Sequence, residues 1–328
     1  MAKNPEKFCN NILSKVSRSF ALTIPLLDDC LHDPVLITYL QDRLLDNFED
    51  ELPELSLSRR KYLMNRVVEL FDPANNNPFE EAAEIASYAE FFKKKSLAEL
   101  TENCLLLRKF YDTLAPQVQG ISHHWLKEMN QGMQKYLSAE VETFSDLNEY
   151  CFYVAGTVGG FLTDTIIFYS REKDFTLSET DRINLLENFN EAGLFLQKVN
   201  LIRDIKEDLE KRNKHFWPLK DLGVSEETLR DPSSKDEAMT ALKEMIEDLK
   251  THIPALKKYY NAIPQELSGY RKFYAVNNGL ALATLEKMED NSKIFYGSSP
   301  VKTGKLELAK ILKNPEKYFE KKAKAYTG

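Results

Sequence analysis

The sequence predicts an all-α chain, and three observations carry that expectation. Apolar residues recur three and four apart along most of its length, no stretch alternates in the manner of a half-buried strand, and Asp, Ser and Pro stand where helices begin and end. Asp33-Pro34 reads as a helix start, because proline at the first helical position gives up an N–H that has no partner there anyway. That helix runs from Pro34 to about Glu51 and stops before Pro53. A second covers Ser58 to Phe71, and Asp72 to Pro78 is a loop rich in Asn and Pro. Further helices are expected at about 79–95, 97–113, 117–139, 146–170, 179–212, 235–260, 265–290 and 304–326. The long one at 179–212 opens on Ser178-x-x-Asp181, a capping-box-like start, and ends ahead of His215-Phe216-Trp217-Pro218. No linker rich in Pro, Gly or Ser divides the 328 residues and no repeat is found, so they read as one domain with 304–328 peripheral.

The net charge of −7 is spread along the chain, which argues against a nucleic-acid surface. Cys9, Cys30, Cys104 and Cys151 form no Cys-x-x-Cys pair and fit buried thiols in a reducing compartment. The N-terminal residues contain no apolar signal core, and no uncharged run approaches the ~20 residues of a membrane span. The best candidate, Tyr153 to Tyr169, is interrupted by Asp164 and several glycines. A cytoplasmic monomer is expected, with room for peripheral membrane contact.

Two acidic helices carry the chemistry. In the first, Tyr39, Arg43, Asp46 and Asp50 share one stripe at about 100° per residue, with Asp42 and Glu49 at its margins. Like charges at this spacing destabilise a helix by a few tenths of a kcal/mol each, so crowding them suggests that a cation is expected. In the second, Gln197, Asn200, Asp204 and Asp208 line one face beside Arg203. The alternative reading of either run alone is a solvated acidic face, and two in one chain weaken it. If the faces oppose each other they offer oxygen ligands for Mg²⁺, which takes one or two carboxylates, several waters and substrate phosphate oxygens. Arg43 and Arg203 would then grip diphosphate oxygens. Both runs lie near helix C-termini, where the macrodipole favours a cation over a bare anion. The chemistry this implies is ionisation of an allylic diphosphate, with the metal neutralising the leaving group.

These residues resemble a known family. Val16-Ser17-Arg18-Ser19-Phe20, the Tyr39–Asp50 segment, Tyr150-Cys-Phe-Tyr153-Val-Ala-Gly156 and the run from Gly193 to Asp208, followed by Phe216-Trp217-Pro218, are similar to the squalene/phytoene synthase family. They look more like its squalene-forming branch. The resemblance implies an isoprenoid-synthase helical bundle around a central hydrophobic cavity. It also implies head-to-head condensation of two farnesyl diphosphates through presqualene diphosphate to squalene, with reduction by NADPH. By position, Asp46, Glu49, Asp50, Asn200, Asp204 and Asp208 match metal and diphosphate ligands. Ser17, Arg18, Ser19, Phe20, Tyr39, Arg43, Gln197 and Arg203 match substrate-binding positions. Tyr153 matches the tyrosine of the first half-reaction, with an ordinary core tyrosine as its alternative. Ala155, Gly156, Gly159 and Gly160, which follow it, serve close helix packing or leave room for a prenyl tail.

Asn200, Lys214, Lys302 and Lys305 are the cofactor-binding candidates, and here the chain departs from the family pattern. Lys214 stands where arginine is expected, and Gly304 stands where the second basic residue of the late loop is expected. Asn277 and Asn278 stand where the family's Phe-Cys-Ala-Ile-Pro-Gln segment has Pro-Gln. The alternative is therefore the same first half-reaction ending at dehydrosqualene, hydroxysqualene or presqualene diphosphate without NADPH. A non-catalytic helical assembly factor is a remoter one. The lysine-rich stretch Lys313–Lys324 reads as a solvated face that could lean on anionic lipid.

Overall fold

The computed structural model describes residues 4–172, 175–212 and 215–327, and among them regular structure is helical throughout, with no strand. The chain forms two compact units. One comprises Met1–Ser138, Gly160–Thr176 and Leu267–Tyr270; the other comprises Ala139–Gly159, Leu177–Glu266 and Arg271–Gly328.

In the first unit, α1 (Pro5–Val16) is capped by Asn4, whose side chain accepts from Lys7 N. This Asn-Pro start escaped the expected set of helices although its capping signal is plain. Helix α2 spans Asp29–Asp50, one turn earlier than Asp33-Pro34 suggested. Pro34 lies inside it, in the second turn, where it forgoes the bond to the Cys30 carbonyl and sets its ring against that carbonyl. Helices α3 (Leu57–Leu70) and α4 (Pro116–Tyr136) pack on α2. The expected helix at 97–113 is instead two, Lys95–Glu102 and Cys104–Tyr111. Asn103 breaks it, its Nδ2 donating to the Glu99 carbonyl at 2.8 Å. Likewise 79–95 ends early, as Phe79–Ala86 followed by a short 3₁₀ turn, Ala89–Phe91.

Helix α5 (Phe144–Cys151) runs into a π-helical turn, Phe152–Gly156, and on into α6 (Thr157–Glu172). By length and composition this continuous stretch, Phe144–Glu172, could cross a bilayer, yet 56% of its most apolar window is buried within the protein. Its Asp164 accepts from Trp125 Nε1 at 2.9 Å.

The second unit is organised on α7 (Glu179–Glu207), capped as expected by Ser178 and followed by a second π turn, Asp208–Arg212. Against α7 pack α8 (Lys235–Lys250) and α9 (Ile253–Ala262), which part at Thr251-His252 because Pro254 restarts the helix. Helix α10 (Ser268–Met288) is followed by α11 (Lys305–Lys313) and α12 (Pro315–Thr327), divided at Asn314-Pro315. Cys9, Cys104 and Cys151 are buried thiols, each pushed up to about 12 chiefly by burial, and Cys30 is a half-buried thiol in no disulfide.

Candidate active site

The last two turns of α2 gather the first acidic set. Asp42, Arg43 and Asp46 are half-buried, Glu49 is buried, and Asp50, the last residue of the helix, is exposed. Arg43 Nη1 lies 3.4 Å from Asp46 Oδ2 and its Nη2 lies 3.6 Å from Glu51 Oε1. One guanidinium facing this many carboxylates leaves an excess of negative charge. Burial therefore pushes the Asp46 carboxyl up to about 7; Arg43 opposes the shift and Asp50 adds to it. Asp42 is raised well above the usual carboxylate range by burial and by Asp46. These are groups that a bound cation would stabilise in their charged form.

The turn after α1 closes on this set. Ser17 Oγ accepts from Phe20 N at 3.0 Å, and the Phe20 and Tyr39 rings lie 5.0 Å apart. Burial raises the Tyr39 phenol, while a hydrogen bond with Ser17 and the nearby Arg43 charge lower it. Ser17, Phe20, Tyr39, Arg43 and Asp46 thus form one cluster, with exposed Arg18 and Ser19 on the same turn.

The second set lies on α7. Gln197 is half-buried, Asn200 exposed, and Asp208, the first residue of the π turn, buried. Arg203 forks onto Asp204: Nε donates to Oδ1 at 2.8 Å and Nη2 donates to Oδ2. Tyr153 sits half-exposed in the other π turn, which packs on α7. Such turns, rare in helices, recur at functional sites, and here both coincide with residues singled out from sequence.

Glycines make the close approach of the Tyr153 turn to α7. A methyl at Gly193 would meet the Ala155 carbonyl oxygen at 2.5 Å, and one at Gly156 would meet Asn190 Oδ1 at 2.2 Å. A methyl at Gly159 would meet the Phe189 carbonyl oxygen at 2.3 Å, and one at Gly160 would meet the Trp125 ring at the same distance. Of the two uses considered for these small residues, close packing is therefore the one that occupies them.

Sequence reasoning missed the mechanical role of the aromatic turn. Fully buried Trp217 donates from Nε1 to the Leu201 carbonyl of α7 at 3.1 Å. Phe216 stacks on Tyr150, centroids 4.0 Å apart, just before the π turn that carries Tyr153. The Phe216-Trp217-Pro218 run was visible, but its partner 16 residues back was not.

Lys302 and Lys305 are exposed around the start of α11 and make no side-chain bond among the described residues. Lys214 lies outside the described residues. Asn277 and Asn278 donate to the carbonyls of Phe273 and Tyr274 in their own helix, at 2.9 and 3.0 Å. Among the described residues no three His, Cys, Asp or Glu side chains converge as a ready metal cage. The donor set nonetheless suits Mg²⁺, which keeps waters and draws ligands from substrate phosphates.

Comparison with known proteins adds the following. The family model described as "Squalene/phytoene synthase" matches residues 13–307. The squalene synthase LSS of Botryococcus braunii is 29% identical over 93% of this chain, which spans 62% of that relative's length. A solved complex of TcSQS with the ligand BPH1237 superposes with a TM-score of 0.84 at 28% identity, covering 99% of this chain and 91% of that one. A dehydrosqualene synthase complex shares the fold at a TM-score of 0.60 and 17% identity, covering 97% of each chain.

Proposed function

We propose, from the premise that this chain belongs to the squalene/phytoene synthase family, that it is a prenyltransferase condensing two farnesyl diphosphates head to head. The observation that carries the reading is the pair of arginine–aspartate faces, Arg43 with Asp46 and Arg203 with Asp204. Each arginine holds a carboxylate that a cation would take over, which frees the guanidinium for diphosphate oxygens. Asp46, Glu49, Asp50, Asn200, Asp204 and Asp208 are the residues that would hold Mg²⁺, whose contribution when bound is to neutralise the departing diphosphate. The Ser17–Phe20 turn and Tyr39 would orient the substrate beside Arg43. Tyr153 offers a phenolic oxygen for the proton lost as the cyclopropane of presqualene diphosphate closes, and a ring face for the carbocation. The family match runs through both compact units, which supports reading them as one catalytic domain.

The full reading ends in reduction to squalene, with Lys302, Lys305 and Lys214 meeting the phosphates of NADPH. A second reading ends before reduction, at dehydrosqualene, hydroxysqualene or presqualene diphosphate. Gly304 favours it, because this position caps α11 with no side chain for a nucleotide phosphate. Incubation of the purified protein with farnesyl diphosphate and Mg²⁺, with and without NADPH, tests both. No consumption of farnesyl diphosphate overturns the enzymatic reading, and identical products in the two incubations overturn the reductive one.

A further inference from the structure

Helix α7 carries a second polar set on the side turned away from Asn200 and Asp204. Lys198 has a side chain with no exposed surface, and its Nζ lies 2.5 Å from Asp248 Oδ2 and 2.8 Å from His252 Nε2. His252 Nδ1 in turn lies 2.6 Å from Glu191 Oε2. A contact between two nitrogens requires one to donate and the other to accept. With the imidazole donating a hydrogen bond from Nδ1–H to the Glu191 carboxylate, its Nε2 accepts one from Lys198 Nζ. The chain of contacts Glu191–His252–Lys198–Asp248 thus links α7 to the start of α9 and the end of α8.

The spacing of these residues makes a clamp. Glu191 and Lys198 stand two turns apart on one face of α7, while Asp248 lies in the last turn of α8 and His252 caps α9. Around Lys198 on α7 the residues Phe195, Val199, Ile202 and Ile205 are apolar and buried. Apolar surfaces tolerate a small slide or roll of one helix on another, whereas an ion pair bonded at both ends does not. A buried ion pair is also a poor source of stability, since well-packed apolar residues in its place are often as stable or more so. Its use here must lie in where it holds the helix.

We propose that Lys198, with Asp248 and His252, is a positioning residue that sets the axial and rotational register of α7 and so aims Asn200 and Asp204 at a metal-bound diphosphate. This rests on the reading of the second acidic face given above. Its test compares wild type with Lys198→Met, with Lys198→Met/Asp248→Leu, and with Asp248→Asn for use if the single lysine variant does not fold. Melting temperature is measured alongside Mg²⁺-dependent binding of inorganic diphosphate by calorimetry, and kcat and KM for farnesyl diphosphate.

The single variant is expected to melt lower, because it strands Asp248 and the His252 acceptor. The double variant recovers the wild-type melting temperature yet binds diphosphate at least tenfold more weakly. Recovery of both stability and binding in the double variant overturns the proposal by making the network merely structural. Wild-type affinity in the folded single variants also overturns it. Absence of Mg²⁺-dependent binding by the wild type overturns the site reading itself, whereas wild-type binding with unaltered variants overturns the clamp alone.

Discussion

Replacing Gly193 by alanine tests the contact that seats the Tyr153 turn on α7. The added methyl would lie 2.5 Å from the Ala155 carbonyl oxygen and 2.6 Å from both Ala155 C and Gly156 N, where ordinary contact begins at 3.4 Å. All three obstacles are backbone, so no rotamer change relieves them and two helical segments must part by close to an ångström. Overpacking of this kind costs about 1–3 kcal/mol, and the rigid obstacles place it near the upper end. Alanine returns about 0.8–1 kcal/mol through helix propensity, leaving a net loss of about 2 kcal/mol. Gly120 in α4 is the control: a methyl there meets nothing within 4 Å, so Gly120→Ala should gain about 0.5–1 kcal/mol. The two variants thus differ by roughly 3 kcal/mol. At about 2.1 cal/mol/K per residue of unfolding entropy, that is about 4 °C in melting temperature for a chain of this length. Turnover of Gly193→Ala should fall further than stability, since misplacement by an ångström can cost about a hundredfold. If Gly193→Ala melts as high as Gly120→Ala and turns over farnesyl diphosphate normally, the close approach does not hold the site.

Asp46→Ala and Asp204→Ala should each cut farnesyl diphosphate consumption at least a hundredfold while circular dichroism stays wild type, and full activity in either refutes the metal assignment. Asp46→Asn should melt higher than wild type at pH 8. The folded Asp46 carboxyl is raised to about 7 from 3.8, so its stability contribution is full below pH 4 and lost as pH rises through 7. The advantage of Asn should therefore shrink on acidification, and a pH-independent difference refutes the crowding argument. Trp217→Phe, which removes only the indole donor to Leu201 O and some volume, should cost about 1–3 kcal/mol in denaturant titration; Trp217→Ala should cost about 3–5 kcal/mol. Equal losses in the two would mean that the hydrogen bond carries the whole effect.

Much of this molecule is written in local pattern. The period of α7, its Ser178 cap and the acidic faces of α2 and α7 are all properties of neighbours within a few residues, and they stand in the structure where the sequence puts them. The breaks at Asn103 and Asn314-Pro315 were also local, but one side-chain bond or one missing N–H decides them within otherwise continuous periodicity. Pro34 shows the reverse, a strong start signal overridden because Asp28 begins the helix earlier and uses its carboxylate to accept from Gly269 N and Tyr270 N. The π turns have no signature of their own, since they differ from α-helix by a single residue in the ladder. Lys198 reads as one more cation on an amphipathic helix. Only partners 50 and 54 residues away turn it into a buried ion.

Those separations also order events in time. Trp217 closes a loop of 16 residues onto Leu201, whereas Lys198 must wait for Asp248, 50 residues on. Closing the shorter loop is cheaper by about 1 kcal/mol in chain entropy, and its tryptophan leaves the ribosome first. A chain emerging N-terminus first can thus fasten the C-terminal half of α7 through the aromatic turn before the charged partners of Lys198 emerge. The nascent helix meets them already held at one end, with a slide left to correct rather than a search to perform.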